Sequence, residues 1–128
     1  MKILLYSFFL NDYTALLPYW LWHTANNFYP ENTDVLVVTD DENISIPNDK
    51  IKIKVIPKQK FRNIFLWQKN ATHKEIIDEY KDKYDLFVHL QSNCFLTQKV
   101  DEINFPIDSS KLTVFTHTAI NVPYVMWE

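Results

Sequence analysis

The sequence predicts an α/β domain, a mostly parallel sheet flanked by helices, with residues 1–128 forming one unit. Three observations carry that expectation. A continuous apolar run at residues 3–9 suits a strand covered on both faces, and largely apolar stretches at 34–39 and 86–90 read as further strands. Segments whose apolar residues recur at helical spacing lie between these runs. The resulting order is β-α-β-β-α-β followed by short strands, and such alternation builds parallel sheets.

Residues 3–9 (Ile-Leu-Leu-Tyr-Ser-Phe-Phe) are the first expected strand. The start of the chain has the superficial look of a secretory leader. It lacks a small-residue cleavage site and passes straight into Asn11-Asp12-Tyr13, so a buried strand is the expectation. Asn11-Asp12 reads as a turn or helix cap. Tyr13, Leu16, Leu17, Trp20, Leu21, Thr24 and Phe28 then keep helical spacing, and Pro18 either kinks that helix or marks its first turn. Residues 29–32 form a loop. Residues 34–39 are the clearest strand and end at Asp40-Asp41-Glu42-Asn43. After a loop containing Pro47, Ile51, Ile53 and Val55 alternate with Lys52 and Lys54, the pattern of an edge or half-exposed strand. A second helix is expected over residues 63–81, with an imperfect apolar stripe of Leu66, Ala71, His73, Ile76, Ile77 and Tyr80. A strand follows at 86–90, a short strand at 94–97, a loop over 101–110, and a last short strand at 112–115 closed by Thr116-His117-Thr118.

Composition narrows the function classes. Hydrophobic residues make up 47% of the 128, enough for a modest packed core. A formal net charge of -3, with lysines and acids intermixed between Lys50 and Lys83, lacks the basic face that nucleic-acid binding needs. One cysteine, Cys94, permits no internal disulfide and fits a reducing, cytoplasmic setting, with peripheral membrane association as a variant. No apolar run reaches the ~20 residues of a membrane-spanning helix. The chain has no glycine at all, which excludes both a Walker A loop and a dinucleotide-binding Gly-x-Gly-x-x-Gly. Asparagines are the natural substitutes wherever the backbone must turn left-handed.

The most telling stretch is residues 84–96. A buried strand stops abruptly at Gln91-Ser92-Asn93 and the chain then turns apolar again. In α/β proteins, ligands sit where parallel strands end at the carboxyl edge of the sheet. The triplet therefore either faces a ligand or simply turns the chain.

Four landmarks stand in sequence order: Phe8-Phe9-Leu10-Asn11-Asp12-Tyr13, Val37-Val38-Thr39-Asp40, Tyr84-Asp85-Leu86-Phe87 leading to Gln91-Ser92-Asn93, and Val100-Asp101-Glu102-Ile103 with Thr116-His117. Together they resemble the amino-terminal half of glycosyltransferase family 6, which contains the histo-blood-group A and B transferases, the α-1,3-galactosyltransferases and bacterial and phage-like relatives. In turn they are similar to that family's aromatic-x-aliphatic-x-x-Tyr motif, its Val-Phe-Thr-Asp strand end, its approach to the Asp-x-Asp triplet, and its acidic loop and acceptor-site His.

The resemblance implies a GT-A-like fold and a hexosyltransferase: retaining transfer of Gal or GalNAc from a UDP-sugar donor to a galactoside-type glycan acceptor. It assigns Phe8, Leu10 and Tyr13 to the uracil and ribose pocket, Asp40 to the ribose region, Lys69, Gln91, Ser92 and Asn93 to the diphosphate, and His117 to the acceptor. Vertebrate members use Mn²⁺ held by Asp-x-Asp, whereas some bacterial members carry Asn-x-Asn and work without metal. Gln91-Ser92-Asn93 is closer to the latter, so no metal cofactor is expected. The family continues for about as long again, and that half carries most of the acceptor pocket and the carboxylate facing the anomeric carbon. Truncation and loss of turnover are accordingly expected here, and no catalytic residue is assigned.

Bland readings stand beside these. Phe8 and Leu10 also fit strand core, Asp40 a strand-end cap, His117 a structural His, and His89 and Cys94 core positions. His23 and His73 read as helix-surface residues. The runner-up for the whole chain is a non-catalytic α/β binding or interaction module, with an oligomer formed through exposed tryptophans such as Trp22 and Trp127.

Overall fold

A computed structural model describes residues 1–59, 62–108, 116–119 and 122–125. Strand β1 (Ile3–Phe9) is followed by a 3₁₀ helix (Asn11–Leu16), a short α-helix α1 (Leu17–Trp20) and a π-helical turn (Leu21–Ala25). Strands β2 (Thr33–Thr39) and β3 (Ile51–Val55), helix α2 (Arg62–Tyr80) and strand β4 (Leu86–His89) complete the main unit. Strands β5 (Thr116–Ala119) and β6 (Val122–Val125) pair antiparallel, with His117 opposite Tyr124.

The four main strands form one parallel sheet in the order β3-β2-β1-β4. β1 is central and every residue of it is buried. That explains its unbroken apolar run, since a strand with helices on both faces has no solvent side to mark with polar residues. β3 lies at the edge and is half-exposed along most of its length, as its Ile-Lys alternation predicts.

The chain moves from β1 through β2 to β3 in one direction, then crosses back to place β4 on the other side of β1. Right-handed crossovers running in opposite directions must put their connections on opposite faces. Leu17 and Trp20 pack with Ile3, Leu5, Phe9, Val35 and Val37 on one face; Ile76 packs with Leu4, Tyr6, Phe8, Leu36 and Val38 on the other.

Three expectations need correction. The single helix expected from Tyr13 to Phe28 is three helical types in succession. Pro18 sits in the first turn of α1, where its missing N–H costs nothing. The turn after it widens, so that Asn26 N–H reaches the carbonyl of Leu21. The short strand expected at 94–97 is a loop. The chain regains strand-like pairing only at Val100, bridged in parallel to Phe28. In α2, Ala71 and Ile77 are exposed, while Thr72 and Ile76 are buried and His73 is half-buried, so His73 is not the surface residue expected. The short strand expected at 112–115, and Trp127, lie outside the described residues.

Candidate functional site

Strand order reverses on either side of β1: β2 lies on one flank and β4 on the other. At such a switch point the two neighbouring loops diverge beyond the carboxyl ends of the strands and leave a crevice between them. Here those ends are Phe8-Phe9-Leu10 on β1 and Leu90-Gln91-Ser92-Asn93 on β4. The parallel register Tyr6↔His89, with Leu90 N–H donating to the Tyr6 carbonyl at 3.3 Å, holds them side by side.

The triplet does turn the chain. Cys94 N–H donates to the Gln91 carbonyl at 2.9 Å, which puts Ser92 and Asn93 at the corner. The Thr24 hydroxyl then donates to the Cys94 carbonyl at 2.5 Å and ties this loop to the helical segment after β1. Ser92 is buried, Gln91 half-buried and Asn93 exposed, so one amide of the pair is open to solvent. Burial raises the Cys94 thiol above its usual range, in keeping with an inert packing role.

A hard divalent cation such as Mn²⁺ prefers carboxylate oxygens. The turn offers two amides and a buried hydroxyl, a neutral donor set that does not fit such an ion. Among the described residues, no group of three or more His, Cys, Asp or Glu side chains could hold a metal.

On the β1 side, Phe8 and Leu10 are only 5% and 3% exposed. The Phe8 ring lies edge-on to His73 at 4.9 Å and to His89 at 5.5 Å, with the Lys69 ammonium 5.3 Å from its centroid. Both residues are therefore core, and neither leaves appreciable surface to a ligand. Tyr13 is 53% exposed at the same edge. Asp40 accepts from Asn11 N–H with both carboxylate oxygens, each at 3.2 Å. This bond steadies Asn11, whose φ of 53° is left-handed, at a position where a chain without glycine uses asparagine. His117 is placed on β5 by its backbone alone.

The structure also gathers a cluster that the sequence reading did not assemble. The Tyr6 hydroxyl and His73 Nδ1 are 2.7 Å apart, the His73 and His89 rings 4.9 Å apart, and Tyr6 stacks on His89 at 5.3 Å. Burial pushes the Tyr6 phenol up to about 12. Burial, with the neighbouring His73 and Lys69 adding to it, pushes the His89 imidazole down to about 3. His89 Nε2 is buried with no hydrogen-bond partner among the described residues. The available signal was positional: Tyr6 and Phe8 share a face by strand alternation, and Lys69, His73 and Ile76 share a helix face by 3–4 spacing.

Two hollows among the described residues open at the opposite, amino edge of the sheet. One, of about 340 Å³, lies beside Trp22, Thr33 and Lys50; the other, of about 420 Å³, lies beside Met1, Tyr29 and Lys99. Among the described residues, no helix is long and apolar enough to cross a membrane. No protein-family model matches this chain, and no curated protein sequence matches it either.

Proposed function

We propose that this chain is the donor-binding part of a GT-A-type, family 6-like glycosyltransferase, holding a UDP-sugar at the β1/β4 switch point for retaining transfer of Gal or GalNAc to a galactoside-type acceptor. The observation that carries the reading is the strand-order reversal beneath an uncharged polar turn: the chain leaves β1 and β4 side by side at the carboxyl edge, where α/β proteins bind ligands. In this reading the exposed Tyr13 and Asn11 meet the base, and Asp40, already anchored to Asn11, faces the ribose. Asn93 and Gln91 donate amide hydrogens to the diphosphate, Ser92 shapes their turn, and Lys69 supplies positive charge from α2. Phe8 supports this edge from beneath. His117 is assigned to the acceptor. Diphosphate charge that a metal would otherwise neutralise is met by amides and one ammonium, so binding is weak.

Calorimetric titration with UDP, with and without Mn²⁺, tests this. The expected result is weak binding, indifferent to Mn²⁺ and lost in Asn93→Ala. Tight Mn²⁺-dependent binding, or no binding, overturns it.

A second reading, a non-catalytic module that associates with itself, is favoured by Trp67, which is 78% exposed on α2. Concentration-dependent size-exclusion behaviour, abolished in Trp67→Ala, together with no response to UDP, would establish that reading instead.

A further inference from the structure

The hollow of about 340 Å³ between the helical segment after β1 and the amino ends of β2 and β3 is lined by side chains that suit one class of ligand. Trp22 lines it and is 70% exposed, whereas Trp20 of the same segment is fully buried. Leu21 lines the same hollow from the same turn. Asn26 and Asn48 both line it, in complementary roles. Asn26 uses its amide nitrogen to donate to the Trp22 carbonyl, and so presents an acceptor oxygen. Asn48 uses its amide oxygen to accept from Lys50 N–H, and so presents a donor nitrogen. Lys50 is the one charged residue lining the hollow, and no carboxylate does.

Thr33, at the wall of this hollow, is only 6% exposed and its hydroxyl is closed off from solvent, so the polar groups open to a ligand are those of Asn26, Asn48 and Lys50.

We propose that this hollow is a monosaccharide site for a hexopyranose. One face of such a ring is a sheet of C–H bonds that packs on an indole, and its rim carries hydroxyls that both donate and accept. The wall pairs those hydroxyls with Asn26 and Asn48. Lys50, without an opposing carboxylate, adds preference for a sugar acid over its neutral counterpart. The volume falls at the small end of ligand sites, roughly 300–1,000 Å³, and suits one ring rather than a chain of them. This site lies at the amino edge of the sheet, away from the proposed donor crevice, and stands whether or not UDP binds.

The test is an amide-resolved NMR titration of the whole chain with methyl β-glucopyranoside, methyl β-galactopyranoside and glucuronate at millimolar concentrations. The expected result is saturable shifts confined to Leu21, Trp22 (including its indole N–H), Asn26, Thr33 and Lys50, with glucuronate the tightest. Trp22→Ala, at an exposed position that leaves the fold intact, weakens all three ligands about tenfold. Lys50→Ala removes the preference for glucuronate and leaves the neutral sugars unchanged. The proposal is overturned if none of the three sugars gives saturable shifts, if Trp22→Ala leaves their affinities unchanged, or if the shifts fall instead on residues 8–13 and 91–93. UDP added to the same sample reads the donor crevice separately through those last residues.

Discussion

On one face of the sheet, Phe9 meets Trp20 edge-on at 5.3 Å, and Leu5, Phe28, Val35 and Val37 close round them. On the other, Tyr6, Phe8, His73 and His89 interlock as rings of which three bear titratable groups. Both layers hang on alternate residues of the same central strand, so backbone and register are held constant between them. The first layer is stabilised by apolar area and close packing and is indifferent to pH below the phenol range. The second is held by hydrogen bonding and by keeping an imidazole neutral, so its strength depends on the solution. A fold can thus put its permanent stability on one side of a sheet and its conditional stability on the other.

Truncation on the apolar face gives the largest expected effect. Trp20→Ala removes a fully buried indole and leaves a cavity, at a cost of about 3–5 kcal/mol in urea unfolding. That loss is the same at neutral and mildly acid pH. A pH-dependent loss would break the comparison.

Acid should act on the other face. The folded chain holds His89 at about 3, below its ordinary 6.5, so between those values the unfolded chain binds the extra proton. The contribution of neutral His89 is complete above the ordinary value and drains away as pH falls towards about 3. Each unit of difference is worth about 1.4 kcal/mol, so the loss between about pH 7 and pH 4 reaches roughly 3 kcal/mol. Equilibrium unfolding in that window measures it, and His89→Leu flattens the profile. An unchanged profile would show that the ring cluster opens to water without unfolding.

The smallest effect sharpens the contrast within the polar layer. Tyr6→Phe keeps the ring stacked on His89 and deletes only the hydroxyl next to His73 Nδ1. The expected loss is about 1 kcal/mol by denaturant titration. A loss as large as that of Trp20→Ala would mean that the hydrogen bond, not ring packing, organises this face.

The parallel sheet was legible in the sequence because β1 and the centre of β2, Val35 to Val38, are buried on both sides and read as apolar runs. β3 was legible as an edge because its lysines alternate with apolar residues. The face of α2 was obscured for a specific reason. Its inward positions include Thr72 and His73, polar residues that become tolerable inside only through bonds the sequence does not display, from the Thr72 hydroxyl to the Gln68 carbonyl and between His73 and Tyr6. The false strand at 94–97 had the composition of one. Its first carbonyl is taken by Thr24, 70 residues earlier in the chain, and Phe95 is exposed, so no ladder forms. At the candidate site, the polar triplet and its place at the carboxyl edge were legible. Which of its neighbours keep a free surface was not, because burial of Phe8 and Leu10 depends on how α2 settles over β1. The cluster of Tyr6, His73 and His89 joins three elements distant in sequence, and only their register brings it together.

The open side of β3 has a consequence for molecules that meet at high concentration. An outermost strand offers its unpaired peptide groups to any passing chain, and an incoming copy of β3 would align its own lysines against Lys52 and Lys54. Lys54 is moreover tethered towards α2 by Glu75 and Glu79, at 3.7 and 3.6 Å, which draws a charged strut across that flank. Fibrillar stacking through this margin is thereby discouraged, and preparations crowded enough to force encounters should stay dispersed there even when the rest of the surface is sticky.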